Sequence, residues 1–359
     1  MRVVVAIAVI CAAACAAVYG CESGNGAASP GAVDAAHELD GGSAGADVGV
    51  REPEVVRWPD AGTAVVPIQP KAAFDIAAGS GDDQVAVTAA SDEELPRGPE
   101  SFDVDPDGNV YVLDAQGGAV KVFGAQGGLV RRVDLAGQGS AFIDCAVSKT
   151  GELALAHAPG NAVHVLPKGA AGLAQAARQI ALPAVAGFDG VSYDGAGTLF
   201  ARTAGEMTYA VDGGDGSPFL ALLSMKAKMF VRVRRVSPAL GVVYASAIYD
   251  AEGWQGNAQK VFEIAPKMAI GSISFIDADA KGRAYLHLEA VSESPASAIY
   301  VRRYVMRVGA APADWAAPFE IPTDTYAQPF RDLRVAADGT VYAMLVYQDK
   351  VKVIRWNAE

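Results

Sequence analysis

Glu100, Asp144, Asp189, Arg331 and Asp332 share one positional feature. Each lies seven or eight residues before a glycine that opens an apolar, β-rich run. If those runs are equivalent strands of a repeated unit, the five side chains gather where the innermost strands begin, beside a central channel. Carboxylates gathered there can hold a hard cation through oxygen ligands, or they can sit as solvated rim charges. A catalytic hard cation such as Ca²⁺ needs several convergent carboxylates and amides. Here only three or four acids converge, no asparagine occupies an equivalent position, and Arg331 opposes a cation. Solvated rim charges and strand-start turn residues are therefore the leading reading of these five possible channel-mouth binding residues, and a metal-dependent hydrolase at the channel mouth is the alternative.

Other chemistry is sparse. The chain has no P-loop, no Gly-x-Ser-x-Gly elbow, no His-Glu-x-x-His and no paired Cys-x-x-Cys. The scatter of His37, His157, His164 and His287 argues against a three-histidine zinc site. Cys145 sits in the apolar run Ile143–Val147, where a buried thiol is expected rather than a nucleophile. No catalytic residue is assigned, and no cofactor is expected outside the Ca²⁺ alternative. The Asp105 and Asp107 turn lacks the downstream ligands of a calcium loop.

The elements that must position these residues are clearest between Pro99 and Leu135. Phe102–Asp105 reads as a strand, Asp105-Pro106-Asp107-Gly108 as a turn, and Val110–Leu113 as a strand covered on both faces. A glycine-rich hairpin loop leads to Val120–Phe123, and a Gly127-Gly128 turn leads to the arginine-bearing outer strand Leu129–Leu135. The core of this meander, a glycine followed by an apolar strand, recurs at Gly108, Gly151, Gly197, Gly241, Gly282 and Gly339. The spacings are 43, 46, 44, 41 and 57 residues. A four-stranded unit repeating every ~40–50 residues is the signature of a propeller blade. One such meander cannot cover both its faces, whereas six around an axis can. The expected fold is an all-β, six-bladed β-propeller.

The first unit resembles the NHL-repeat family through Asp107, Gly108, Tyr111, Val112, Asp114 and Phe123. At the position of Asp114 the later units carry His157, Thr203, Ala247, Leu288 and Leu345, so they keep only the glycine and its strand. The chain also distantly resembles gluconolactonase-like propellers, and that resemblance implies the Ca²⁺ and the lactone or ester substrate of the alternative.

The expected blades run Ala141–Leu182, Gly187–Met225, Met229–Ile270 and Ser272–Ile321, the last with a long third strand near Ile299–Val308. The wide fifth interval places an insertion at Ala310–Trp315 and Thr323–Phe330. The final unit supplies only three strands before the chain ends. Lys71–Ile76 is expected to pair with 350–356 as its outer strand, in preference to Thr63–Ile68, where Pro67 cannot donate to a ladder. Without that strand, 350–356 would present an open edge.

At the N-terminus, Met1-Arg2 and the apolar run Val3–Val18 read as a signal peptide over 1–20, too short for a membrane span. Val18-Tyr19-Gly20-Cys21 resembles a bacterial lipobox, which implies lipidation at Cys21; Ala12-Ala13-Ala14-Cys15 is a competing match that would leave the apolar segment very short, and an ordinary secretory signal with an incidental cysteine is the alternative. Residues 21–62 read as a flexible tether rich in Ala, Gly, Ser and acids, and 63–359 as the propeller. Once Cys11 and Cys15 leave with the signal, Cys145 has no internal disulfide partner. A net charge of −12, from 29 basic and 41 acidic residues, argues against nucleic acid. The expectation is a monomeric, exported envelope lipoprotein of the outer membrane, held to the bilayer by its lipid. Its propeller would serve as a scaffold contacting a protein or a cell-surface polymer.

Overall fold

The computed structural model describes residues 55–57, 70, 72–182, 188–193, 197–203, 207–211, 218–220, 222–224, 229–237, 240–246, 259–265, 269–281, 283–293, 299–308 and 318–357. Cys21, residues 1–20, most of the stretch read as a tether, Gly282 and the Ala310–Trp315 stretch lie outside them. The described chain is almost entirely β. Its strands are β1 (Val55–Arg57), β2 (Ala72–Ala77), β3 (Ser101–Val104), β4 (Val110–Asp114), β5 (Ala119–Phe123) and β6 (Leu129–Asp134). Then follow β7 (Phe142–Val147), β8 (Leu153–His157), β9 (Ala162–Leu166), β10 (Arg178–Ala181), β11 (Phe188–Tyr193), β12 (Leu199–Thr203), β13 (Met207–Ala210) and β14 (Pro218–Leu220). The remainder are β15 (Leu222–Ser224), β16 (Met229–Ser237), β17 (Leu240–Ser246), β18 (Gln259–Ala265), β19 (Ala269–Ala278), β20 (Ala284–Glu293), β21 (Ile299–Val308), β22 (Phe319–Ile321), β23 (Leu333–Val335), β24 (Val341–Val346) and β25 (Lys350–Trp356).

Among the described residues these strands form five four-stranded sheets and one five-stranded sheet, arranged as a β-propeller. Successive sheets are β3–β6, β7–β10, β11–β14, the set around β16–β18, β19–β22, and β23–β25 with β2 on its outside. Inner strands neighbour one another, β3 with β7, β7 with β11, β16 with β19, and β19 with β23. Because β3–β6, β7–β10 and β19–β22 are antiparallel four-stranded meanders, the chain returns to the same end before β7, β11 and β23. We call this the starting end; the hairpins β4–β5 and β24–β25 share it, and the opposite end is the turn end.

The turn end explains the recurring glycine. In the first sheet Asp105 Oδ1 accepts hydrogen bonds from the backbone N–H groups of Asp107 (3.0 Å) and Asn109 (2.9 Å). Gly108 then closes the turn at φ +81°, a region that costs a residue with a Cβ. Ser148 with Gly151 (φ +84°) and Ala336 with Gly339 (φ +89°) make the same backbone pair in the second and last sheets. Asp279 repeats the aspartate cap, accepting from Lys281 N–H at 2.9 Å and Arg283 N–H at 3.0 Å. Gly197 also has positive φ. Gly241 departs from the expectation: it lies inside β17, paired with Arg235, because β16 extends to Ser237 and the reversal falls between the two strands.

Apolar side chains pack between neighbouring sheets. Leu113, Val120 and Val133 meet Phe142, Leu153 and Leu155. Ala154, Val163 and Val165 meet Val191 and Leu199 across the next boundary. Phe319 and Ile321 meet Leu333, Ile354 and Trp356, with Phe319 and Trp356 stacked at 5.8 Å between centroids. Ring closure follows the expected pairing, with Phe74 opposite Val353 and Ile76 opposite Val351 in antiparallel register. Ile76 is buried with Phe102, Phe123, Met344 and Val351, joining last sheet to first. Gly127 stands where a Cβ would come within 2.8 Å of the Phe74 ring, so the first sheet can approach the closing strand only with glycine there.

Two additions were absent from the sequence reading. Val55–Arg57, within the stretch read as tether, pairs in parallel with Glu263–Ala265 of β18. Leu222–Ser224 adds β15 to the same sheet through Met229–Val231. Among the described residues, β1 is thus that sheet's outer strand. The long strand over Ile299–Val308 is present as β21.

Candidate functional site

The inner strands bring Asp144, Arg331 and a residue the sequence reading passed over, Arg334, into one cluster. Asp144 in β7 is fully buried. Its Oδ2 lies 2.9 Å from Arg331 Nη1, and its Oδ1 lies 3.0 Å from Arg334 Nη2. The Val191 N–H of β11 also donates to Oδ2 at 2.9 Å. Burial alone would raise the carboxyl pKa. The two guanidiniums and the Val191 and Ser101 donors outweigh burial and hold it below the ordinary carboxylate value.

Arg334, on β23, spans three sheets. Its Nε donates to Phe102 O at 2.6 Å and stands 3.4 Å from Asp103 Oδ1, while Nη2 donates to Cys145 O at 2.8 Å. Arg331 Nη1 donates to Val191 O at 3.2 Å, and its own N–H donates to Glu100 O at 3.1 Å. A Cβ on Gly190 would lie 2.0 Å from Arg331 Nη2, so β11 comes this close to the axis only because it carries glycine there. The last inner strand thus reaches the sheets of β3, β7 and β11 through charged side chains.

The other expected residues are spread around this cluster. Glu100 is half-buried just before β3 and lies against it through its carbonyl; burial raises its carboxyl pKa, with Arg97 pulling the other way. Asp332 is 9% exposed and turns away from Asp144 toward β21, where Arg303 Nη2 sits 2.6 Å from its Oδ2. Burial nevertheless leaves its pKa raised, Arg303 offsetting only part of the cost. Arg303 Nε donates to His287 Nε2 at 3.1 Å. Burial first and that guanidinium second push the imidazole down to about 3, so it is neutral. Asp189 lies at the irregularity in β11 between Phe188 and Gly190; its side chain is outside the described residues.

This donor set does not fit a hard cation. Both oxygens of Asp144 face guanidiniums, and Asp332 faces another. Among the described residues, no three His, Cys, Asp or Glu side chains gather as a ligand set. Cys145 is fully buried, its Sγ lies 3.5 Å from Ser101 Oγ, and burial, with Asp144 next, pushes the thiol up to about 12. Arg334 had a signal in the sequence, a charge between the apolar strand residues Leu333 and Val335, but the turn-glycine alignment singled out only positions seven or eight upstream. Asp114, the residue shared with NHL repeats, is buried against Lys121 Nζ at 3.0 Å and accepts from Gly117 N–H at 2.9 Å, capping the β4–β5 hairpin.

No protein-family model and no curated protein matches the chain. Among solved structures it is similar to virginiamycin B lyase from Staphylococcus aureus, at 10% identity over 79% of this chain and 99% of that one, TM-score 0.44. A member of the DUF4221 family from Bacteroides vulgatus gives 12% identity over 76% and 98%, TM-score 0.44. Hsv2 from Kluyveromyces lactis gives 10% over 69% and 70%, TM-score 0.40.

Proposed function

We propose that this chain is a monomeric, NHL-like envelope lipoprotein, anchored in the outer membrane through a lipidated Cys21, whose propeller is a binding scaffold for a protein or a cell-surface polymer. The observation that carries the scaffold reading is the pairing of Asp144. A carboxylate buried with both oxygens held by Arg331, Arg334 and the Val191 N–H has a structural task, and two guanidiniums beside it disfavour a bound cation. The starting-end loops are the natural contact surface, because loops on a rigid frame carry binding in closed β folds. The Val18-Tyr19-Gly20-Cys21 sequence supports the anchor. The residue after it is Glu22 rather than aspartate, in keeping with sorting to the outer membrane.

Two measurements test this. Calcium content of the purified chain, before and after mild chelation, should be far below one ion per molecule; a stoichiometric ion whose removal abolishes ester or lactone hydrolysis establishes the enzyme instead. Mass spectrometry of the membrane fraction should find an acylated N-terminal Cys21, and Cys21→Ala should give unprocessed or soluble protein. An unacylated N-terminus at Glu22 or beyond refutes the anchor.

A further inference from the structure

Resting on the scaffold reading, this inference concerns which end of the propeller binds and what it binds. Among the described residues, Leu95 (66% exposed) and Phe330 (52%) stand among the few large apolar side chains left in water, and both lie on starting-end loops. Leu95 is carried by an ordered finger. Thr88 and Arg97 exchange backbone hydrogen bonds at 2.9 and 3.3 Å, and Ser91 Oγ accepts from the N–H groups of Glu93 (3.3 Å) and Glu94 (3.1 Å). The finger is stitched to the loop bearing Phe330: Ala90 N–H donates to Tyr326 Oη at 3.1 Å, and Tyr326 N–H donates to Val346 O at 2.7 Å. Gly98 packs against Val346 so closely that a Cβ would stand 2.7 Å from its Cγ1. Two apolar side chains are thus held out by a framework with no visible need to expose them.

Their surroundings are acidic. Asp82, Asp83, Asp92, Glu93, Glu94 and Asp349 are exposed on the loops of this end, whereas the turn end exposes Lys149, Lys168 and Lys281 interspersed with Asp107 and Asp338. Arg97 is exposed beside the finger, and Arg132 is engaged by Asp82 at 3.3 Å. Charge complementarity excludes several occupants. The chain's own segment before Val55 carries Glu22, Asp34, Glu38, Asp40, Asp47, Glu52 and Glu54 against Arg51, so it is repelled. A second copy would bring the same acids to the same place. Anionic headgroups and anionic polymers are repelled likewise.

We infer that the 88–97 finger and Phe330 form a docking surface for a cationic segment of a partner protein, one that seats an aliphatic or aromatic side chain between Leu95 and Phe330 while its lysines or arginines meet Asp92, Glu93 and Glu94. The acids steer the encounter and the apolar pair sets the residence time.

The test uses the full mature chain with Cys21→Ser and, as probe, a labelled synthetic peptide of lysines and arginines around a central Leu-Phe pair, read by fluorescence anisotropy. A twin peptide with Ser-Ser at the centre is the control. The Leu-Phe peptide should bind, weaken as salt rises, and exceed its twin by about tenfold. Leu95→Ser with Phe330→Ser should remove that tenfold without changing the net charge or the melting temperature. Asp92→Lys with Glu93→Lys and Glu94→Lys should abolish binding, and Lys149→Glu with Lys168→Glu and Lys281→Glu should leave it unchanged. Equal affinity for both peptides, or no effect of the apolar pair, overturns the inference. Self-association lost with the same substitutions overturns it in favour of a second copy. Binding that depends on the turn-end lysines assigns the wrong end here while leaving a scaffold in place; only the calcium and turnover measurements remove the scaffold itself.

Discussion

The joint between the last sheet and the first is made twice, at the rim and at the axis, by opposite kinds of interaction. At the rim β2 lies antiparallel to β25, from Ala72 opposite Arg355 to Ala77 opposite Lys350, and buries Ile76 among Phe102, Phe123 and Val351. At the axis Arg334 and Arg331 reach from the last inner strand and its lead-in to Asp103, Asp144 and backbone carbonyls of the sheets beyond. The rim gains from burial and backbone pairing, which tolerate any residue of suitable shape. The axis depends on charges that cost desolvation and return it only in full company. The rim should therefore supply most of the closing energy, and the axis should fix which strand sits where.

The largest effect should come from removing the rim. Deleting residues 70–80 exposes the β25 edge and strips Ile76 from the core, and should lower stability by several kcal/mol in denaturant unfolding. An unchanged melting temperature would show that the axis closes the ring alone.

Breaking the axis on one side comes next. Asp144→Ala leaves two guanidiniums without their carboxylate and should cost about 3–5 kcal/mol. Replacing the whole set, Asp144→Leu with Arg331→Met and Arg334→Met, should cost less than the single change, since it strands no fully buried charge and leaves only the partly exposed Asp103 without its arginine. If the triple variant is the less stable one, the cluster contributes net energy as well as register, and the division drawn above fails.

Acid sharpens the same contrast. The Asp144 carboxyl titrates below its unfolded value, so its contribution is present above the ordinary carboxylate pKa and lost as pH falls through the folded one. His287 acts earlier. With the folded imidazole near 3 and an ordinary value near 6.5, the unfolded chain takes up the proton first. Stability should therefore decline as pH drops below about 6.5. His287→Gln keeps an acceptor for Arg303 and should flatten the slope of stability between that pH and the carboxylate range. An unaltered slope would place the acid sensitivity elsewhere.

The smallest effect is expected at Cys145. Cys145→Ala removes a buried thiol whose polar partners are Ser101 and Tyr111, and should cost about 1 kcal/mol while leaving the fold intact. The native thiol should react with a thiol reagent only on unfolding; fast labelling of the folded chain would contradict its burial.

Local patterning made the repeat legible. Asp105-Pro106-Asp107-Gly108, with its β-rich sequel, specifies a turn and a strand by chemistry confined to a few residues, and the structure repeats that turn at Gly151 and Gly339. The closing strand was legible for a related reason: the three strands of the last unit leave an edge, and Lys71–Ile76 is a β-rich segment able to fill it. What the sequence could not determine depends on distance along the chain. Whether Asp144 faces a cation or an arginine depends on Arg334, 190 positions away, whose side chain crosses sheets that only ring closure brings together. The same holds for Asp332, aligned with Asp144 by its spacing from a glycine yet turned to Arg303 on another strand. Spacing within a repeat fixes which strand a residue occupies and how deep it sits. The partner that decides its charge state comes from a different repeat, and only the assembled ring selects it.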